Sequence, residues 1–325
     1  MSRRRADSDR TGQAGLRPLR RPRPLVAGDQ VAVVAPAGPV PRDRLDAGVA
    51  VLESWGLRVT VAPHVLHRHS RFDYLAGSDV DRAADLQRAW TDPDVAALLC
   101  ARGGYGATRV LERLDWAKLR SVPPKILAGY SDITALLQAV GTRLGLASLH
   151  APMVATTAFG TDPSTQDGLY RALFRPQDRM DVTSSQASVL RSGQARGVTV
   201  GGCLSLLAAT VGTPFAPPNV AGGILILEDV AEDCYRLDRM LTQLRQSGWL
   251  DGVAGVAVGS WNECWPDTGV IQEMLRERLG DLGVPIAVEL GFGHGPSTHT
   301  VPVGAVAELN ARATPPVLSV DGASL

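Results

Sequence analysis

The chain has no excess of charge of either sign and no long apolar run. Its 325 residues contain 33 Lys and Arg against 33 Asp and Glu, so no overall field attracts nucleic acid or an anionic membrane. No apolar run reaches the roughly 18 residues that a membrane span requires. The sequence therefore predicts neither a nucleic-acid partner nor a membrane partner.

Clustered cysteines are also absent. The four cysteines are scattered, with no CxxC pair and no Cys/His spacing of the zinc type. The Arg-rich start lacks the apolar stretch of a signal peptide, so we expect a cytoplasmic protein in a reducing compartment. His64, His67 and His69 form a His-x-x-His-x-His cluster that could bind metal, but no cysteine stands at helical spacing from it and the stretch is polar. We therefore expect no metal site and no cofactor.

What is present divides into a tail and two folded domains. Residues 1–24 hold eight Arg and two Asp without periodicity, and they predict a disordered tail. Residues 25–155 alternate β-branched runs with amphipathic stretches, which predicts an α/β domain with an open, mostly parallel sheet. Residues 156–182 lose this rhythm and predict a connection. Residues 183–325 predict a C-terminal mixed α/β domain with parallel and antiparallel strand pairs.

One serine lies where a predicted strand passes into a helix. Residues 126–134 read ILAGYSDIT, a buried-looking strand and a glycine followed by Ser131. This arrangement is that of a nucleophile elbow, although the Gly-x-Ser-x-Gly string is not met. The first amides of the helix would then stabilise an oxyanion. The alternative is that Ser131 is an ordinary helix N-cap, for which serine is a preferred residue.

Three further segments place polar or flexible residues where strands end. The turn 101–106, ARGGYG, would cradle a phosphate or supply an oxyanion amide, or it is only a turn. Glu228 ends an apolar run, and by itself it also fits a surface acid. His294 lies in GFGHGP at 291–296, whose small residues predict an irregular, accessible loop. Such loops often carry function.

Together these segments resemble the serine LD-carboxypeptidase family, the murein tetrapeptide carboxypeptidases, which also includes the microcin C immunity peptidases. The resemblance runs from about Gln30 to Leu309. It depends on short motifs in a shared order: VVAPAG at 33–38, RGGYG at 102–106, GYSDIT at 129–134, LEDV at 227–230 with YRLDR at 235–239, and GH at 293–294 followed by VPVG at 301–304.

The resemblance implies an N-terminal α/β domain that carries the serine and a C-terminal domain that carries an acid and a histidine. It implies a Ser-Glu-His triad at Ser131, Glu228 and His294, in the chain order that α/β-hydrolases also use. The backbone N–H groups of Asp132 and, by resemblance, Gly104 are the candidate oxyanion hole. Such a site would be assembled in the cleft between the two domains.

Arg102, Gly103 and Cys203 are the candidate substrate-binding residues. A carboxypeptidase must bind a free terminal carboxylate, and Arg102 offers a guanidinium beside the glycines. Cys203 departs from the family pattern, because many relatives have Gly-Asn-Leu where this chain has Gly-Cys-Leu. A thiol cannot make the hydrogen bonds of an amide, so this departure bears on the substrate more than on the triad.

The leading hypothesis is a cytoplasmic serine carboxypeptidase that removes a terminal D-residue from an L,D-peptide bond, such as D-Ala from a murein tetrapeptide in cell-wall recycling. One alternative is an immunity-type peptidase that hydrolyses the amide of a peptidyl or aminoacyl nucleotide, with Trp261 and Trp265 as candidate platforms for a nucleobase. Another is a non-catalytic binder of small anions, in which Ser131 only caps a helix. The expected partner is a small peptide with a free C-terminal carboxylate, and a homodimer stays open.

Overall fold

A computed structural model describes residues 15–322, in which two sheets are covered by helices. The strands are β1 (Gln30–Val34), β2 (Arg58–Val61), β3 (Val95–Cys100), β4 (Ile126–Gly129), β5 (Ser148–His150), β6 (Met180–Val182), β7 (Ser188–Arg191), β8 (Gln194–Cys203), β9 (Gly223–Val230), β10 (Gly255–Asn262), β11 (Ile286–Val288), β12 (Val301–Val303), β13 (Val306–Asn310) and β14 (Val317–Val320). The helices are α1 (Arg42–Ser54), α2 (Asp79–Thr91), α3 (Ala107–Leu111), α4 (Trp116–Arg120), α5 (Thr134–Leu144), α6 (Thr157–Thr161), α7 (Pro163–Phe174), α8 (Leu204–Thr210), α9 (Cys234–Gln246) and α10 (Thr268–Leu279), with 3₁₀-helices at Ser131–Ile133 and Gly280–Leu282. None of the helices in this described part is long and apolar enough to cross a bilayer.

The first sheet has the strand order β12-β5-β4-β3-β1-β2, and all its pairs are parallel except β12 with β5. Strands such as β3, with the sequence VAALLC, are almost wholly apolar because helices cover both faces of a parallel sheet. The strand order reverses beside β1. Ligands of open α/β sheets bind at the carboxyl ends of strands near such a reversal. The strand order and pairing confirm the predicted open, mostly parallel N-terminal sheet.

The second sheet has the order β6-β14-β13-β8-β9-β10-β11-β7. Strands β8 to β11 are parallel and the outer pairs are antiparallel, which confirms the predicted mixed pairing. Helix α9 packs on this sheet through Leu237, Leu241 and Leu244, one apolar stripe at helical spacing. Strand register places Cys203 of β8 directly beside Glu228 of β9.

Strand β12 differs from the prediction, since the sequence favours one strand over residues 303–309. In the structure β12 returns to the first sheet and pairs antiparallel with β5, whereas β13 stays in the second sheet. Gly304 separates the two strands with a φ of +86°, a conformation that glycine adopts without steric cost. The two sheets are thus joined by this crossing as well as by the connection.

The segment over residues 156–182, predicted as a connection, contains α6, α7 and β6. Helix α7 begins where the Asp162 carboxylate accepts the Thr165 N–H at 2.9 Å, with Pro163 at the first helical position. Both features favour the start of a helix.

The tail also differs from the prediction where the structure describes it. Over residues 15–24 the chain lies against both domains: the Leu16 N–H donates to the Ala221 carbonyl at 2.7 Å, and the Arg20 N–H donates to the Gly145 carbonyl at 3.0 Å. The tail's polar composition predicts disorder because ordering a chain costs conformational entropy. Packing of its leucines on the domains offsets that entropy cost. The rest of the predicted tail, residues 1–14, lies outside the described residues.

Candidate active site

Ser131 follows β4 in a strained backbone conformation. Its φ is +62°, in the left-handed region that few residues other than glycine adopt. The chain passes from the extended residue Tyr130 directly into the 3₁₀-helix and α5, and no side-chain cap hydrogen bond forms at this helix start. The N-cap alternative predicts relaxed dihedrals and a hydrogen bond that Ser131 Oγ accepts from a following backbone N–H. The predicted elbow conformation is therefore confirmed.

The glycine turn lies directly against this serine. A Cβ atom on Gly103 would lie 2.8 Å from Ser131 Cβ, 2.9 Å from Ser131 Oγ and 3.4 Å from Asp132 N. Gly104 has a φ of +108°, and its N–H donates to no protein group among residues 15–322. The turn therefore packs directly against the elbow, and the Gly104 N–H is free to bind a ligand.

Asp132 fixes the elbow relative to the turn. Its carboxylate is buried and accepts the Ala107 N–H of α3 at 2.7 Å. Burial raises the pKa of the Asp132 carboxyl to about 6, although this hydrogen bond opposes the shift. The side chain of Asp132 therefore positions the turn, while its backbone N–H is the group available for an oxyanion.

We expect Gly103→Ala to lower kcat/KM by at least about 100-fold, because the new methyl group overlaps Ser131 and displaces its hydroxyl. Gly160→Ala in α6 is the matched control, since its added Cβ meets only Ala47 Cβ at 3.7 Å, an ordinary contact. Steady-state kinetics on both variants test this. Equal activity of the two variants would contradict the packing of the turn against Ser131.

Glu228 and His294 form a buried pair. Glu228 Oε2 lies 2.7 Å from His294 Nδ1 and accepts the His294 backbone N–H at 3.2 Å. The Glu228 side chain is fully buried, and that of His294 is 16% exposed. Because the carboxylate occupies Nδ1, the Nε2 atom of His294 is left to accept a proton from a nucleophile.

The electrostatics of this pair favour an ionised carboxylate. Burial acts to raise the pKa of Glu228, but hydrogen bonds from His150 and His294 outweigh it and lower the pKa to about 2. Burial acts to lower the pKa of His294, but the hydrogen bond and the charge of Glu228 outweigh it and raise the pKa. The carboxylate therefore stabilises the imidazolium that forms when His294 takes a proton.

The loop that carries His294 depends on Gly293. Its φ is +99°, and an added Cβ would lie 2.6 Å from Glu228 Oε2. The Gly293 N–H donates to Thr298 Oγ1 at 3.0 Å, and the Ser260 hydroxyl donates to the His294 carbonyl. The predicted loop of small residues thus lets the backbone approach the acid closely.

Tyr130 lies next to Ser131 in the chain and packs against His294. Its ring centroid lies 4.7 Å from that of His294, so the residue before Ser131 contacts the imidazole. Within the described part of the chain, however, no hydrogen bond links Ser131 Oγ to His294. Of the two contacts that a Ser-Glu-His triad requires, the structure therefore contains the one between Glu228 and His294. Catalytic hydrogen bonds are often long without substrate and shorten when it binds.

His150 is a member of this cluster that sequence reasoning missed. Its Nε2 lies 3.5 Å from Glu228 Oε1, and both side chains are buried. Strand β5 ends at His150, which is paired in register with Gly129 of β4. The sequence does carry a signal, since a predicted strand ends on a histidine at the same sheet edge as Ser131.

The substrate-binding candidates differ in exposure. Arg102 is exposed, and its Nη1 donates to the Pro39 carbonyl at 2.7 Å, which leaves other guanidinium N–H groups for a ligand. Cys203 is buried, with its Sγ 3.2 Å from Ser205 Oγ and 3.4 Å from Asp229 Oδ1. Burial and the neighbouring carboxylates raise the pKa of the Cys203 thiol well above its usual value. Cys203 is therefore a neutral thiol that contacts Asp229.

Comparison with known proteins finds similarity in both domains. The chain matches the LD-carboxypeptidase N-terminal domain over residues 31–151 and the LD-carboxypeptidase C-terminal domain over residues 196–309. It is 55% identical over 296 residues to "Putative carboxypeptidase SCO6489" of Streptomyces coelicolor, covering 91% of this chain and 95% of that protein. It is 34% identical over 300 residues to the murein tetrapeptide carboxypeptidase of Pseudomonas aeruginosa, covering 86% and 92%.

A solved structure has the same fold. The crystal structure of an MccF-like protein from Bacillus anthracis matches with a TM-score of 0.84 and 27% identity, covering 94% of this chain and all of that one (100%). Family matches, relatives and fold agree over nearly the whole described chain. The chain therefore belongs to the LD-carboxypeptidase family of serine peptidases.

Proposed function

We propose that the protein is a carboxypeptidase that removes a terminal D-residue from an L,D-peptide bond. Its leading substrate is a murein tetrapeptide, from which it releases D-Ala during cell-wall recycling. The observation that carries the proposal is the 2.7 Å contact of Glu228 with His294 Nδ1. This contact leaves Nε2 as a base beside the elbow that holds Ser131, whereas a non-catalytic anion binder needs no such pair.

In the proposed reaction Ser131 Oγ attacks the scissile carbonyl carbon while His294 Nε2 takes its proton. The N–H groups of Asp132 and Gly104 stabilise the oxyanion that forms. His294 then gives the proton to the leaving amine as the C–N bond breaks, and water hydrolyses the acyl-enzyme by the same route. Glu228 holds the imidazole in the required tautomer throughout.

Arg102 is proposed to bind the terminal carboxylate of the substrate. It directly precedes Gly103, the residue packed against Ser131, and it is exposed with guanidinium N–H groups left over from its bond to the Pro39 carbonyl. A charge-assisted contact to a carboxylate selects peptides with a free C-terminus. A cytoplasmic location, where recycled peptides occur, is supported by the free thiols of all four cysteines.

One observation favours a second candidate, the hydrolysis of an aminoacyl nucleotide. Trp265 is 69% exposed and offers an indole face on which a nucleobase would stack. Its carbonyl accepts the Cys234 N–H at 2.9 Å, which holds Trp265 close to the segment that follows Glu228. Trp261 is buried and belongs to the core, so it offers no such face.

Rates on three compounds test the proposal: a murein tetrapeptide, its C-terminal amide and an aminoacyl-sulfamoyl adenylate. We expect release of D-Ala from the free acid, no cleavage of the amide, and no effect of a chelator on turnover. Equal rates on acid and amide would contradict carboxylate recognition by Arg102. Cleavage of the adenylate alone would support the triad but would identify the protein as a hydrolase of aminoacyl nucleotides, the second candidate function. Cleavage of none of the three would favour the anion binder.

A further inference from the structure

A second cluster of metal-ligating side chains lies in the N-terminal domain, outside the triad. His64, His67 and Asp81 each offer one ligand atom, and these atoms all lie within 4.8 Å of one another. We propose that they bind a divalent transition metal of the Zn²⁺ class, which joins the loop after β2 to the first turn of α2. This site revises the expectation of no metal site, whereas the proposed triad chemistry remains independent of metal.

His64 is oriented as a metal ligand. Its Nδ1 lies 2.8 Å from Asp85 Oδ1, and its backbone N–H donates to Asp85 Oδ2 at 2.8 Å. Because a carboxylate only accepts, Nδ1 carries the proton, and neutral His64 has its lone pair on Nε2. A carboxylate that fixes the tautomer of a histidine in this way is the usual outer partner of a metal ligand.

Nε2 of His64 points at a second acceptor. It lies 3.7 Å from Asp81 Oδ1, and a positive charge favours this approach, supplied either by a metal ion between the two atoms or by a second proton on the imidazole. The other oxygen, Asp81 Oδ2, accepts the Ser78 hydroxyl at 2.8 Å, while Ser78 Oγ accepts the Asp81 N–H at 3.1 Å. This capping arrangement at the start of α2 leaves Oδ1 as the free oxygen.

His67 supplies the third ligand from the same loop. Its N–H donates to the His64 carbonyl at 2.9 Å, and the two rings are 4.8 Å apart with planes at 82°. Tetrahedral Zn²⁺ with bonds of about 2.0–2.1 Å places its ligand atoms roughly 3.3 Å apart. His64 Nε2 and Asp81 Oδ1, 3.7 Å apart, would have to move only slightly closer to bind one metal ion. The exposed ring of His67 can turn to provide the rest, and water would complete the coordination.

The charges and ligand types select the metal. Asp81 and Asp85 each carry one negative charge, and the Arg88 guanidinium pairs with Asp85 and cancels one of them. With neutral histidines the cluster is left with one negative charge, which favours a dication. Two imidazoles and one carboxylate suit Zn²⁺, whereas Mg²⁺ prefers oxygen ligands and retains its water.

The fold brings this site together from separate segments, which explains why spacing along the chain did not predict it. Asp81 lies in α2, beyond the loop that carries the histidines. The next residue, Arg82, donates from Nη1 to the Gly106 carbonyl at 2.8 Å. Metal bound at Asp81 would therefore stabilise the helix end that supports the glycine turn.

The test is a calorimetric titration of the tag-free, full-length protein with Zn²⁺ and, for comparison, Mg²⁺. We expect one Zn²⁺ per chain, no Mg²⁺ binding, and a loss of Zn²⁺ affinity of at least about 100-fold in both His67→Ala and Asp81→Asn. His69→Asn is the matched control and should bind as the wild type does. His69 Nδ1 accepts the N–H groups of Arg71 and Phe72, an acceptor role that asparagine can keep.

Thermal unfolding gives a second readout. Stoichiometric Zn²⁺ should raise Tm for the wild type and for His69→Asn, and leave Tm unchanged for His67→Ala and Asp81→Asn. Far-ultraviolet circular dichroism checks that the variants are folded, and the Asp81→Asn side chain can still accept the Ser78 hydroxyl. Absence of saturable Zn²⁺ binding by the wild type would overturn the proposal. Equal affinity of the wild type and both ligand variants would overturn it as well, and would leave the cluster as an ion-pair network.

Discussion

Replacing Ser131 with alanine should lower kcat by at least about 10⁴-fold while the protein stays folded. The hydroxyl is the only group removed, and in the proposed reaction its oxygen forms the ester bond of the acyl-enzyme. Turnover of the tetrapeptide and circular dichroism of the variant test this together. Turnover within about tenfold of the wild type would exclude Ser131 as the nucleophile.

Ser131→Gly separates catalysis from strain. It also lacks the hydroxyl and should be equally inactive, but glycine adopts a φ of +62° without the cost that a Cβ imposes. We therefore expect Ser131→Gly to be more stable than Ser131→Ala by about 1 kcal/mol in urea unfolding. Equal stability of the two variants would contradict the strained elbow.

Replacing Glu228 with glutamine should lower kcat by about 10³–10⁴-fold, because the amide no longer fixes the tautomer of His294 or stabilises its charged form. The pH profile should change as well. In the wild type Glu228 raises the pKa of His294, so the neutral base is lost as the pH falls through that raised pKa. Without the carboxylate the pKa of His294 falls, and the acid limb of kcat/KM moves to lower pH.

The matched control for this variant is Glu308→Gln in β13, which exchanges the same groups away from the triad. It should keep both the rate and the pH profile of the wild type. An unchanged acid limb in Glu228→Gln would show that His294 is not the titrating base. A loss of activity in both variants would point instead to a general effect on the second domain.

Features that depend on a short stretch of sequence could be predicted from the sequence. The parallel strands of the first sheet are apolar runs, and Ser131 stands where such a run meets a helix, so local pattern suffices for both. Glu228 and His294 are far apart along the chain, and the family resemblance, but no local pattern, indicates their 2.7 Å contact.

Features that depend on contacts distant in sequence could not be predicted. The return of β12 to the first sheet and the packing of Leu16 leave no periodic pattern, because short segments pair with partners far along the chain. His150 contacts Glu228 only because β5 ends beside β4, and Asp81 approaches His64 only because α2 packs beside the loop. Strand order and helix packing decide such contacts.

A crystal structure of Ser131→Ala with an intact murein tetrapeptide tests the central claim most directly. We expect the scissile carbonyl carbon within about 3.5 Å of the position of the missing hydroxyl, a near-attack distance. We also expect the carbonyl oxygen at the N–H groups of Asp132 and Gly104, and the terminal carboxylate at Arg102. A peptide bound with its scissile carbonyl away from Ala at position 131, or with its terminal carboxylate outside the reach of Arg102, would contradict the account.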